Sequence, residues 1–85
     1  MEVEFSSYFL DQAKKLTQKE KEVLAEKVEL FRKNPRDPRL KTHALTGKLK
    51  GSFSFSVTYS KRAIFVLSGN TAIFAEMGTH DHVYR

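Results

Sequence analysis

The sequence predicts an α+β domain in the order β-α-α-β-β-β, a helical hairpin packed on one face of a small twisted antiparallel sheet. Three patterns carry that expectation. Leu24, Val28 and Phe31 fall at helical spacing between a capping signal at Thr17–Glu20 and the stop signal Asn34-Pro35. Phe53, Phe55, Val57 and Tyr59 alternate with Ser54, Ser56, Thr58 and Ser60, the period of a strand with two unlike faces. Two further apolar runs, 63–67 and 71–77, flank Ser68-Gly69-Asn70, a hairpin signal.

The elements follow in order. Met1, Val3 and Phe5 alternate with two glutamates and read as a first strand. Ser6 or Ser7 can cap the next helix, whose apolar positions are Phe9, Leu10, Ala13 and Leu16. Thr17-Gln18-Lys19-Glu20 is a capping-box pattern and starts a second helix after a short turn. Val23 and Leu30 widen its Leu24/Val28/Phe31 stripe, and Arg32 and Lys33 suit its C-terminal end. Asn34-Pro35 stops it, because a residue before proline is pushed out of the α region. Residues 34–45 hold both prolines and read as a basic loop, and 46–51 as a short strand or turn between glycines. The Ser/Thr side of residues 54–60 is expected to meet water or a ligand. Ala63 to Leu67, apolar on both faces, reads as a central strand.

Eighty-five residues make one domain, 1–85. The absence of cysteine excludes disulfides and thiolate metal sites. The first residues are acidic where a secretory leader is basic, and no apolar run approaches the roughly 18 residues of a membrane span. The expectation is a cytoplasmic protein with no membrane contact. The net charge of +5 is concentrated: residues 32–62 carry nine Lys/Arg against Asp37 alone. Such a block is the footprint of a polyanion partner, or equally a solvated basic face or a surface for an acidic protein.

The last eight residues, GTHDHVYR, hold two histidines, an aspartate, a tyrosine and an arginine. Alternation puts His80 and His82 on one face of an extended segment and turns Tyr84 to the polar side. Two histidines, with only Asp81 and His43 to join them, make a weak metal set, and neither a metal nor a cofactor is expected.

Taken together, Asn34-Pro35, His43-Ala44-Leu45-Thr46-Gly47-Lys48-Leu49-Lys50-Gly51, Lys61-Arg62-Ala63-Ile64-Phe65 and Gly78-Thr79-His80 with Tyr84 four residues on resemble the RelE/ParE toxin superfamily. The nearest branch is that of the YafQ-type mRNA interferases, and the likeness spans nearly the whole chain. It implies endonucleolytic cleavage of mRNA, typically in the ribosomal A site, and an antitoxin that blocks the active face. By the same resemblance, His80 is the catalytic acid or base and Tyr84 the aromatic that stacks on or hydrogen-bonds RNA. His43 opens the family's H-x-L-x-G segment, Arg62 holds a phosphate, and Lys48 and Lys50 face the RNA. Arg39 and Lys41 in the basic loop, with His82, complete the expected RNA-binding set. Ser56 and Ser60 stand where YafQ-type toxins carry a further histidine and an aspartate, and His82 is the candidate replacement for that histidine.

The chemistry suits these residue types. RNA cleavage by the neighbouring 2′-OH needs a base, an acid and cations around phosphorus. Imidazole titrates near cell pH, and guanidinium forks match phosphate oxygens. Two alternatives stay open at this level: a ParE-like gyrase poison, which needs no histidine near the chain end, and a decayed domain that only binds RNA or an antitoxin.

Overall fold

The computed structural model describes residues 1–79. Five strands and two helices follow in order. They are β1 (Glu2–Phe5), α1 (Ser7–Lys14), α2 (Gln18–Lys33), β2 (His43–Ala44), β3 (Phe53–Ser56), β4 (Lys61–Ser68) and β5 (Thr71–Thr79). Short 3-10 turns occupy Pro38–Leu40 and Gly47–Leu49.

Both helix starts are capped by side chains. Ser6 Oγ accepts from the Phe9 N–H at 3.0 Å. Thr17 and Glu20 form the reciprocal box at 3.0 and 3.1 Å, which satisfies two otherwise orphaned donors. Leu24, Val28 and Phe31 are the buried face of α2, as its spacing predicts. On α1 only Phe9 is buried, and Leu10 is exposed.

The sheet order is β1-β5-β4-β3-β2. Neighbours are antiparallel except β1, which runs parallel to β5. The sheet is therefore mixed, not purely antiparallel. The helix pair is the crossover that carries the chain away from β1, and a parallel neighbour requires such a connection. The β4–β5 hairpin turns at Gly69, whose φ of +59° is a conformation that glycine adopts without steric cost.

A bulge interrupts the β4–β5 ladder. Ile64 faces Glu76 while Phe65 faces Phe74, so Ala75 is an extra residue in β5. It resets the alternation and lets Phe74 and Met77 both reach the core under the helices. That core is aromatic. Phe31 lies 4.9 Å from Phe65 and 5.6 Å from both Phe55 and Phe74, ring centre to ring centre. The basic loop is less open than its composition suggests. Leu40 is fully buried in the main core, and His43–Ala44 is a two-residue edge strand on β3.

The eight-residue alternation also ends early. β3 stops at Ser56, and Val57 to Ser60 form a tight turn tied to Lys61. Tyr59, expected on an apolar face, is wholly exposed on that turn. No helix among the described residues is long and apolar enough to cross a membrane.

Candidate functional site

Alternation along β4 turns Ala63 and Phe65 to the helices and Arg62 and Ile64 to the opposite face of the sheet. Register then assembles that face. His43, Ser54, Ile64 and Glu76 stand in one row across β2, β3, β4 and β5. Ser56, Arg62 and Gly78 stand in the next. Gly78 has no side chain, so β5 places nothing over the Arg62 row at that position.

Arg62 is the centre of this face. It is only 6% exposed, and its guanidinium is held inward. Nε donates to Ser54 Oγ at 2.9 Å, and Nη2 donates to the Lys41 carbonyl at 2.6 Å. Charge-assisted bonds of this kind are short and about twice as strong as neutral ones. Lys41 sits at a φ of +52°, where a non-glycine residue is strained, so the Arg62 fork secures the turn that leads into β2 and His43. Ser54 is itself fully buried. The serine side of β3 is therefore closed at Ser54 by an arginine, where the alternation alone suggested contact with water or a ligand.

A second small core seals part of the same face. Leu45 and Leu49 pack on Ile64, and the 3-10 turn Gly47–Leu49 is held there with Lys48 and Lys50 exposed at its surface. His43 and Lys41 are exposed beside it. The fold thus gathers Arg62, His43, Lys41, Lys48 and Lys50 on the side of the sheet away from the helices.

Arg39 lies elsewhere. Its guanidinium grips both oxygens of Asp37 at 2.8 and 3.0 Å, and its carbonyl accepts from Lys27 of α2. The Arg39 side-chain and backbone N–H groups hold the Asp37 carboxyl down at about 2. Asp37 in turn raises the Arg39 pKa. On the helix side, Lys61 bonds Glu20 at 2.8 Å, and this bond is the largest cause of the lowered Glu20 pKa. Lys61 ties β4 to the start of α2. His80, His82 and Tyr84 lie outside the described residues.

Sequence reasoning missed Ser54 as the partner of Arg62. The available signal was a serine between the half-buried Phe53 and the buried Phe55, one strand away from Arg62. It also missed Glu76, which reaches this face only because the Ala75 bulge shifts the register.

No family model matches the chain, and no curated protein matches it by sequence. Solved structures do match. A YoeB/ParE toxin from Agrobacterium tumefaciens superposes with a TM-score of 0.78 at 16% identity, over 94% of this chain and 99% of that one. The fold is that of the RelE/ParE-type toxins. Within that class the chain is similar to YafQ from E. coli strain BL21(DE3), at 25% identity and a TM-score of 0.74, over 99% of this chain and 98% of that one. YafQ in the E. coli DinJ-YafQ complex aligns as fully, at 21% identity and a TM-score of 0.63, with 99% and 98% covered.

Proposed function

We propose that this chain, as one domain over 1–85, is the toxin of a type II toxin–antitoxin pair and a metal-independent endoribonuclease that cleaves mRNA at the ribosome in the cytoplasm. The observation that supports it best is Arg62 and His43 on one face of a YafQ-like fold, ringed by exposed Lys41, Lys48 and Lys50.

In this reading the 2′-oxygen attacks the adjacent phosphorus and the bond to the 5′-oxygen breaks, giving a cyclic phosphate and a 5′-hydroxyl. One group takes the 2′-OH proton and another protonates the leaving oxygen. His80 and His43 are the candidates for these two roles, each worth typically 10²–10⁴-fold. Arg62 and the lysines offset the charge that grows on the phosphate oxygens, although Arg62 must exchange Ser54 or the Lys41 carbonyl for phosphate to do so. Tyr84 stacks on a base, worth about 1–3 kcal/mol. Arg39 and His82 extend the RNA contact, although Arg39 must exchange Asp37 for phosphate to do so.

The partner is an antitoxin with an acidic segment laid on this basic face. The toxin alone is a monomer and joins a higher-order complex with it. The structurally similar YafQ is found in a DinJ-YafQ toxin-antitoxin complex, which supports an antitoxin partner.

Substitution at the chain end tests the assignment. His80→Ala and Tyr84→Ala are expected to abolish growth arrest while the fold and antitoxin binding persist. A fully toxic His80→Ala variant overturns the role of that residue. Damaged DNA with intact messages would point to a gyrase poison instead.

A further inference from the structure

β1 covers the outer edge of β5 only as far as the Phe5–Phe74 pair. Beyond it, residues 75–79 would present an open backbone edge. Two side chains attached to α1 close that edge. Ser6 donates its hydroxyl to the Ala75 carbonyl at 2.7 Å. Gln12 does more. Its Nε2 donates to the Met77 carbonyl at 2.9 Å, and its Oε1 accepts from the Met77 N–H at 2.7 Å. One carboxamide thus satisfies both backbone groups of a strand residue, as a neighbouring strand would.

We infer that Gln12 is a positioning residue for the proposed nuclease site, because it fixes the end of β5 that sets Gly78 beside Arg62 and leads into the Gly78-Thr79-His80 motif. The inference rests on the ribonuclease reading. The effect is geometric. Residues 76–79 follow the Ala75 bulge, where the ladder to β4 is locally disrupted, so one edge alone fixes their register weakly. Lys61 faces Thr79 and Arg62 faces Gly78 at this end. A shift of about 1 Å there moves the reacting groups apart and can cost on the order of 10²-fold in rate. Among the described residues Gln12 hydrogen-bonds Met77 and neither Arg62 nor His43, so its effect falls on the chemical step and not on RNA affinity.

The test uses the full chain, a message programmed on ribosomes, and Gln12→Met, which keeps length and helix propensity but makes neither bond. The expected result has two parts. The Met77 amide exchanges with solvent at least tenfold faster, and kcat falls roughly tenfold to a hundredfold with KM unchanged. An unchanged Met77 exchange rate, an unchanged kcat, or a loss of activity that merely tracks the unfolded fraction overturns the inference. If Gln12→Met does not fold, Gln12→Ala takes its place with the same outcomes, since it too makes neither bond. If the wild-type chain cleaves no message, the ribonuclease reading fails. In that case the Met77 exchange rate alone decides whether Gln12 holds β5.

Discussion

Arg62→Lys keeps one positive charge on β4 and removes the fork. The native guanidinium makes two good bonds at once, to Ser54 Oγ at 2.9 Å and to the Lys41 carbonyl at 2.6 Å. An ammonium at the end of a flexible stem can meet one of these acceptors with good geometry, not both. One hydrogen bond from a charged donor is therefore lost, about 1.5–3 kcal/mol. A chain of 85 residues is stable by only about 4–13 kcal/mol, so the loss is a large fraction of the whole. In thermal unfolding followed by circular dichroism it corresponds to a fall of about 6–24 °C in melting temperature. Cleavage is expected to drop by roughly 10²–10³-fold, the cost of removing one oriented donor from a developing anion. An unchanged melting temperature would refute Arg62 as the clamp on the Lys41 turn. An unchanged cleavage rate at reduced stability would leave the clamp and refute the phosphate contact.

Three further outcomes are expected. Phe31→Ala removes the ring that meets Phe55, Phe65 and Phe74, and should cost about 3–5 kcal/mol in chemical denaturation. The Asp37 carboxyl should titrate near 2 by NMR, and Arg39→Ala should return it toward the usual carboxylate range. Because the folded value is the lower one, its contribution to stability is complete above the unfolded value of about 3.9 and disappears as pH falls through about 2. Affinity for single-stranded RNA should fall with salt, and Lys48→Ala should flatten the log–log slope by about 0.7, one phosphate contact. A slope that does not change with Lys48→Ala would remove that residue from the interface.

The parts of this fold that were legible from sequence are those written in local pattern. The α2 stripe of Leu24, Val28 and Phe31, its capping box and the Gly69 hairpin each depend on neighbours within a few residues, and each appears where expected. The parts that were not legible depend on distant partners. Nothing near Val3 or Phe5 states that β1 will lie parallel to β5. Ser54 reads as a solvent position until Arg62, eight residues on, folds over it. Leu40 is buried from within a polar segment because its 3-10 turn packs against α2 and the main core. For the site, Arg62 and His43 could be named from the resemblance, but their shared face came from strand register. The readings of His80, His82 and Tyr84 remain those of sequence, outside the described residues.

Primer-extension mapping of cellular messages after brief induction bears most directly on the ribonuclease assignment, with wild type beside His80→Ala. New 5′ ends inside coding regions should accompany the wild-type chain and vanish with the substitution. Arrested growth with every message intact would contradict it.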